Sequence, residues 1–180
     1  MDFIRKFKIL YDKQYGFQTG KSTEYALLDI QNCILNSLEM KENPCCVFLD
    51  FAKAFDTVNH KILLAKLNHY GIRGMPLQLI ESYLTDREQC VQVNDAVSDF
   101  EKVSHGVPQG SILGPLFFLL YINDIANSSS ILSFYLFADD TAIFLSDKCI
   151  KTLEKTLNEE LIKVSRVFHS RKFSGGGTKS

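Results

Sequence analysis

The sequence predicts a single domain of the α+β class. Its 180 residues match the usual size of one domain, and 46% hydrophobic with 23% charged residues is typical of a globular protein. This composition argues against a disordered tail, a collagen-like fibre or a low-complexity array. Apolar residues recur at helical spacing in some segments and follow hairpin-like strand patterns in others, and this mixture is the α+β class.

Helical spacing and end signals predict five helices. Ser22 or Thr23 can cap the first helix, Gly71 closes the second, and Pro76 stands at the start of the third. The final helix has the clearest apolar stripe. The predicted helices cover residues 22–40, 60–70, 76–84, 111–125 and 150–168.

Short apolar runs and turn residues predict the strands. The first run ends in Asp50, which places a carboxylate at the tip of a buried strand. Asn94-Asp95 marks the turn of a hairpin, and Asp139-Asp140 lies between the last two runs as the turn of another. The predicted strand regions are 46–49, 89–103, 131–138 and 142–145. We expect residues 1–168 to form the domain and residues 169–180, which contain a glycine run, to form a flexible tail.

The cysteines and the apolar stretches indicate the cellular compartment in which the protein is expected. Five cysteines, an odd number without a Cys-x-x-Cys pair, argue against a disulfide framework or a zinc knuckle and favour a reducing environment. The longest apolar stretch, 112–122, is half the length of about 20 residues that a membrane span needs. The N-terminus lacks the apolar core of a signal peptide. We therefore expect an intracellular protein of the nucleus or cytoplasm that has no membrane partner.

Charge is distributed unevenly along the chain. Residues 1–21 carry a net charge of +3 and residues 148–180 carry +5, whereas residues 22–147 carry −9. Basic ends can contact a polyanion. Ordinary solvated helix faces explain the same pattern, so charge alone leaves both interpretations open.

Three carboxylates form the main candidate site. If the strand that ends in Asp50 pairs with the hairpin that carries Asp139 and Asp140, the three side chains meet at one edge of the sheet. Clustered carboxylates repel one another unless a cation joins them, and Mg²⁺ takes one or two carboxylates together with substrate phosphates. Two such ions about 4 Å apart meet the requirement of nucleotidyl transfer. Simple turn chemistry remains the alternative for the Asp-Asp pair.

A glycine-flanked loop is the second unusual feature. Gly106 and Gly110 allow positive φ or close backbone approach, and Gln109 offers an amide that can bind a base or sugar. A plain loop before a helix is the alternative. Phe55, five residues after Asp50, could lie beneath a sugar or belong to the core.

The segment from Gly16 to Thr23 imitates a phosphate-binding P-loop. That motif has four residues between its glycines, whereas three separate Gly16 from Gly20 here, and the preceding segment is half polar instead of an apolar strand. A loop this short cannot wrap a phosphate, which argues against an NTPase.

Together these segments resemble the reverse transcriptases of non-LTR retrotransposons, the jockey-like, LINE-type elements. The resemblance covers about residues 10–165 and keeps the family's motif order. The residues that carry it are Gln14-Tyr15-Gly16-Phe17, Gly20-Lys21-Ser22-Thr23, Phe48-Leu49-Asp50-Phe51-Ala52-Lys53-Ala54-Phe55-Asp56, Gly106-Val107-Pro108-Gln109-Gly110-Ser111, Tyr121-Ile122-Asn123-Asp124 and Phe137-Ala138-Asp139-Asp140-Thr141.

The resemblance implies a right-hand polymerase palm, an antiparallel sheet backed by helices, with partial fingers and no thumb. It implies that Asp50, Asp139 and Asp140, with the backbone carbonyl of Phe51, bind catalytic Mg²⁺, with Mn²⁺ as an alternative. Phe55 then screens the sugar 2′-hydroxyl. The implied roles of the other residues are nucleotide binding by Gln109 and Gly110, and nucleic-acid contact by Gln18 and Lys21.

The implied partners are an RNA template, a DNA primer and deoxynucleoside triphosphates. The family's earlier fingers segment and its thumb have no counterpart, so we expect an internal piece of an element. Two alternatives to an active polymerase stay open. One is a silent remnant that folds but cannot hold primer and template, and the other is a binding or structural module on the same fold.

Overall fold

A computed structural model describes residues 2–51, 53–108 and 110–173, with side chains as far as Val167. The chain forms two compact units, one built from residues 2–51 and 122–173 and the other from the described residues of 53–121. The helices are α1 (Asp2–Lys6), α2 (Thr23–Glu39), α3 (His60–His69), α4 (Met75–Leu84), α5 (Leu113–Ile122) and α6 (Ile150–Phe173), with 3-10 turns at Ala54–Thr57 and Asn123–Ser128. The strands are β1 (Asn43–Leu49), β2 (Glu88–Gln89), β3 (Gln92–Val93), β4 (Ala96–Val97), β5 (Glu101–Lys102), β6 (Ser133–Phe137) and β7 (Asp140–Asp147).

The first unit contains a three-stranded antiparallel sheet in the order β1-β7-β6. Strand β7 is central because β1 pairs with it along one side and β6, joined to it by a tight turn, pairs along the other. Helix α2 contacts β1 and β6, and α6 contacts β7. The mixture of helices and antiparallel strands confirms the predicted α+β class.

Helix α2 begins where the sequence predicts and supplies part of the core. The hydroxyl oxygen of Ser22 accepts a hydrogen bond from the Tyr25 backbone N–H, which satisfies one free donor of the first turn. The core side chains beneath the sheet are Tyr15, Ala26, Ile30, Tyr135, Ala142 and Phe144.

The second unit pairs α3 with α4 and carries an irregular hairpin. Its inner strands, β3 and β4, join at Asn94-Asp95, and β2 pairs with β5 outside them. Asn94 adopts a φ of +53°, a conformation that asparagine tolerates better than most residues. The predicted turn is therefore confirmed.

Several element boundaries differ from those predicted. Strand β1 begins at Asn43 and includes Pro44, because β1 lies at the edge of the sheet, where a residue without an N–H is tolerated. Helix α5 ends at Ile122, short of the predicted end at Ile125, and gives way at Asn123 to a 3-10 turn. Helix α6 continues to Phe173, since no glycine or proline interrupts the chain before Gly175.

The predicted tail therefore overlaps the end of α6, and its last seven residues, 174–180, lie outside the described part of the chain. In the described part, every helix is too short or too polar to span a bilayer.

Candidate functional site

Two of the three predicted carboxylates lie side by side at one end of the sheet. In the β1–β7 pairing, Leu49 lies opposite Thr141, and one residue further along each strand come Asp50 and Asp140. Asp140 also pairs with Phe137 across the β6–β7 hairpin. Asp139 lies within the two-residue turn that joins these strands. Strand pairing thus brings the residue that follows β1 and the first residue of β7 to the same edge of the sheet, as the sequence predicted.

Asp50 and Asp140 line one cavity of about 280 Å³ within the first unit. Both residues are exposed, whereas Asp139 is half-buried and is not among the residues that line this cavity. The other walls come from α2, from the end of β1 and from the strands β6 and β7. The cavity lining consists of Thr23, Ala26, Leu27, Ile30, Phe48, Leu49, Asp50, Tyr135, Leu136, Phe137, Asp140, Thr141 and Ala142.

The donor set suits a cation that completes its coordination with substrate and water. Across residues 2–51, 53–108 and 110–173, no group of three His, Cys, Asp or Glu side chains is close enough to hold a metal by itself. Mg²⁺ does not require such a cage, because it usually binds through one or two carboxylates plus water and phosphate oxygens. The exposed pair of Asp50 and Asp140 therefore fits a magnesium ion that binds together with a phosphate ligand.

The turn that carries Asp139 is held by residues to which the sequence analysis gave no role. Gln14 is 1% exposed, and its Oε1 accepts hydrogen bonds from the backbone N–H of Gly16 at 2.8 Å and, more weakly, from that of Ala138 at 3.4 Å. Ala138 adopts a φ of +55°, which is costly for a residue with a Cβ. The amide of Gln14 thus stabilises a turn whose own backbone is strained.

The segment around Gln14 also extends the sheet. The Tyr15 N–H donates to the Leu136 carbonyl at 2.7 Å, and the Leu136 N–H donates to the Lys13 carbonyl at 2.9 Å. A Cβ on Gly16 would lie 3.1 Å from the Ala138 Cα and closer still to the Ala138 nitrogen. Glycine at position 16 is therefore needed for this close approach. The residues Gln14-Tyr15-Gly16 carry part of the family resemblance, but their structural role is visible only in the folded chain.

Two buried tyrosines connect this segment to α2 and to the sheet. The Tyr15 hydroxyl donates to Asp29, and the Tyr135 hydroxyl lies 2.8 Å from the Cys33 sulfur and accepts a hydrogen bond from Lys13 at 3.1 Å. Burial raises the pKa of both tyrosines, and their hydrogen bonds to Asp29 and Cys33 raise it further. Both phenols therefore stay protonated at alkaline pH values that ionise an exposed tyrosine.

Gln18 and Lys21, the predicted nucleic-acid contacts, both form hydrogen bonds to backbone carbonyls within the protein. The Gln18 amide donates to the Gln14 carbonyl at 2.5 Å. The Lys21 ammonium donates to the carbonyls of Asp12 and, at 2.9 Å, of Gln14. Partial burial lowers the pKa of Lys21. These side chains stabilise the loop between the sheet extension and α2. Some of their hydrogen-bond donors are therefore already engaged within the fold.

The predicted nucleotide-binding residues belong to the second unit. Phe55 is half-buried in the 3-10 turn after Lys53, and its ring packs on Phe118 with centroids 4.6 Å apart. Gly110 is exposed with a φ of +77°. Gln109 lies outside the described residues. Phe51, whose carbonyl was predicted as a ligand, belongs to the first unit and directly follows Asp50.

Backbone hydrogen bonds join the glycine-flanked loop to the turn that contains Phe55. The Val107 N–H donates to the Phe55 carbonyl at 2.9 Å, and the Gly106 N–H donates to the Val58 carbonyl at 2.8 Å. Gly106 has a φ of +86°, and a Cβ there would lie 3.0 Å from the Asp56 Cα. The loop and the aromatic turn are thus positioned as one piece of the second unit.

Comparisons with known proteins agree with this architecture. A model of the family described as reverse transcriptase (RNA-dependent DNA polymerase) matches residues 1–174. The chain is 32% identical over 175 residues to the probable RNA-directed DNA polymerase from transposon BS of Drosophila melanogaster, covering 89% of this chain and 18% of the relative. It is 34% identical over 144 residues to the corresponding X-element protein of that fly, covering 77% and 16%.

A further relative is the RNA-directed DNA polymerase from mobile element jockey of Drosophila funebris, 32% identical over 155 residues, which cover 82% of this chain and 17% of the relative. The chain therefore spans less than a fifth of the length of these relatives. Among solved structures, apo telomerase from Candida tropicalis, truncated from its C-terminal domain, superimposes with a TM-score of 0.60 at 15% identity, covering 87% of this chain and 35% of telomerase. At that identity the likeness concerns the fold.

Proposed function

Because the chain belongs to the reverse transcriptase (RNA-dependent DNA polymerase) family, we propose that it carries the catalytic carboxylates of an RNA-directed DNA polymerase. The proposed reaction extends a DNA primer along an RNA template with deoxynucleoside triphosphates. The observation that supports it best is the position of Asp50 and Asp140, which come one residue beyond a paired Leu49 and Thr141 and open into one cavity. Exposed carboxylates on neighbouring strands suit a phosphate-bound divalent cation.

In this proposal Asp50, Asp139, Asp140 and the Phe51 carbonyl hold two Mg²⁺ ions, with Mn²⁺ as an alternative. Bound there, such ions supply charge neutralisation at the attacking primer oxygen and at the leaving pyrophosphate. The protein contributes position and electrostatics and forms no covalent intermediate. Gln14 and Gly16 act through the turn that presents Asp139.

The second unit supplies nucleotide selection in the same proposal. The Phe55 ring, braced by Phe118, screens the 2′-hydroxyl of the incoming sugar and thereby favours deoxynucleotides. Gln109 and Gly110 line the nucleotide. Gln18 and Lys21 approach the nucleic acid through the donors that their internal hydrogen bonds leave available.

Primer extension on an RNA template with Mg²⁺ tests the proposal. We expect Asp50→Asn and Asp139→Asn each to lower extension by about a hundredfold to a thousandfold, the scale of losing a transition-state charge contact. The exposed position of Asp50 predicts little change in the urea unfolding midpoint. Asp99→Asn, an exposed carboxylate in the hairpin of the second unit, serves as the matched control and should keep wild-type activity.

Retained extension in either active-site variant contradicts the assignment. If folded wild-type protein does not extend a primer, Mn²⁺ binding measured by electron paramagnetic resonance separates two cases. Binding that Asp50→Asn removes points to a silent remnant with an intact metal site. Binding that is absent from the wild type contradicts the metal site itself.

A further inference from the structure

The second unit contains a cavity of about 370 Å³ whose lining shares no residue with the cavity that Asp50 and Asp140 line. Its walls come from the start of α3, from the residues that follow α4 and from the residues around the end of β5. Lys61, Arg87 and Lys102 contribute cationic side chains, and Asp86 is the one acidic residue in the lining.

Cationic residues outnumber acidic ones in the lining of this cavity, and Glu88 lies opposite Lys102 in the β2–β5 pair. The sequence from 53 to 121 contains six Lys and Arg and seven Asp and Glu, so it is slightly acidic as a whole. Half of its cationic residues nevertheless line one cavity, against one of its seven acids. Like charges held together destabilise a fold slightly unless an anion joins them.

In the described part of the chain, no hydrogen bond or ion pair involves the ammonium groups of Lys61 and Lys102 or the guanidinium of Arg87. Lysines elsewhere differ: Lys66 donates to the Tyr121 carbonyl at 2.6 Å, and Lys163 pairs with Glu160 at 2.5 Å. The donors at the cavity are therefore free to bind an external acceptor.

A fixed backbone frame holds these cations together. Asn59, 4% exposed, caps α3 by accepting a hydrogen bond from the Ile62 N–H at 3.1 Å and forms a β-bridge with His105. The His60 Nε2–H donates to the Gly106 carbonyl at 2.7 Å. The Val103 N–H donates to the Arg87 carbonyl at 2.8 Å, which ties the two outer segments together.

The start of α3 adds to the positive potential. The helix has ten residues and no acidic side chain in its first turn. Its N-terminal end carries a partial positive charge from the aligned peptide dipoles. Free lysine and arginine donors next to a helix start are a combination that favours the oxygens of a phosphate group.

We propose that this cavity, formed around Lys61, Arg87 and Lys102, binds phosphates of a nucleic-acid backbone. The choice of nucleic acid rests on the proposed function, since a polymerase must hold a strand bearing a phosphate at every nucleotide. The cavity then contributes affinity that does not depend on nucleotide sequence.

Fluorescence anisotropy with a labelled RNA–DNA hybrid tests this site in the full chain, without divalent metal or nucleotides. The test variant is Lys61→Gln/Arg87→Gln/Lys102→Gln. The control is Lys41→Gln/Arg73→Gln, which removes two exposed cations outside the cavity and outside the basic ends of the chain, and it is charge-matched to a Lys61→Gln/Lys102→Gln double variant. Affinity is measured from 50 to 300 mM salt, on the order of the range where counterion release is resolved.

We expect the test variant to bind at least about tenfold more weakly at low salt and the slope of log K against log salt to fall by about 2 to 3, one for each lost phosphate contact. The control should keep the wild-type slope. Circular dichroism and the urea midpoint establish that each variant is folded, and single Lys61→Gln and Lys102→Gln variants replace the triple variant if it is not.

An unchanged slope in the test variant overturns the inference, as does equal loss in the control. Wild-type protein that fails to bind the hybrid, or that binds polyglutamate in its place, overturns it as well. Loss of primer extension with hybrid binding intact counts against the proposed function alone, because the binding measurement needs neither metal nor Asp50.

Discussion

Gly16 and Gly20 are four residues apart, and an added methyl group would meet very different surroundings at the two positions. At Gly16 it would strike the backbone of Ala138 and Phe137, which cannot rotate away. At Gly20 nothing lies within 4 Å, and only the φ of +80° opposes a side chain. The first glycine is therefore required by a close approach and the second by local backbone conformation alone.

We expect Gly16→Ala to lower the free energy of unfolding by about 3 kcal/mol, the upper end for overpacking, because the obstructing atoms belong to the backbone. Gly20→Ala should cost about 1 kcal/mol, the usual penalty of a left-handed residue with a Cβ. Urea denaturation followed by circular dichroism measures both values. Equal losses in the two variants would show that the turn carrying Asp139 does not depend on Gly16.

Phe55 gives a residue-scale prediction that rests on the proposed polymerase function. Its ring is braced by Phe118, so replacing it with valine removes bulk at a position that cannot refill easily. We expect Phe55→Val to raise ribonucleotide use relative to deoxynucleotide use at least about tenfold. Single-nucleotide primer extension measures the ratio. Phe100→Val, an exposed phenylalanine of the hairpin, is the control and should leave the ratio unchanged.

Helix α3 depends on one capping side chain. The Asn59 Oδ1 accepts a hydrogen bond from the Ile62 N–H, and the residue is almost fully buried. Asn59→Ala should lower the free energy of unfolding by about 1 to 2 kcal/mol, whereas Asn59→Asp should retain most of the stability because aspartate caps equally well. Urea unfolding compares the two variants. A similar loss in both would mean that the amide nitrogen, rather than the cap, stabilises this position.

Among the helices, strands and turns, those that depend on neighbouring residues in the sequence were predicted best. Helix α2 and the Asn94-Asp95 turn depend on residues next to one another in sequence, and both were predicted closely. The predicted strand begins only at Cys46, whereas β1 begins at Asn43 and contains Pro44. Pro44 is tolerated inside β1 because β1 lies at the edge of the sheet. The strand order that places β1 there depends on tertiary structure.

The candidate site likewise contains residues that the local sequence predicts and residues whose role depends on tertiary structure. Asp50 and Asp140 could be predicted because each borders a short apolar strand, and pairing of those strands brings the carboxylates together. The role of Gln14 could not be predicted from the sequence, because its partner Ala138 is 124 residues away and its own segment is half polar. A buried amide in such a segment becomes meaningful only when the sheet it extends is known.

In the whole molecule, the core of the first unit combines apolar packing with titratable phenols. Tyr15 and Tyr135 pack with Ala26, Ile30 and Phe144, and their hydroxyls reach Asp29 and Cys33. Burial and these hydrogen bonds raise the pKa of both phenols above the ordinary value of 10.0. The folded state therefore binds these protons more tightly than the unfolded chain does.

This difference predicts alkaline destabilisation. The contribution of a group with a raised pKa is fully present below the unfolded value of 10.0 and is lost as pH rises through the folded value. The free energy of unfolding should therefore fall above pH 10, by at most about 1.4 kcal/mol per pH unit for each tyrosine. The lowered pKa of Lys21 acts in the opposite direction near the same pH.

The substitution Tyr15→Phe isolates one of these protons, because it removes the hydroxyl and keeps the ring in the core. Its unfolding free energy should fall less steeply above pH 10 than that of the wild type, while the difference between the two proteins stays constant from about pH 7 to 9, where the phenol is protonated in both states. Urea unfolding at closely spaced pH values gives the two slopes. Tyr25→Phe, which removes an exposed hydroxyl from α2, should keep the wild-type slope. Parallel curves for Tyr15→Phe and the wild type would mean that the buried phenol at position 15 is not coupled to folding.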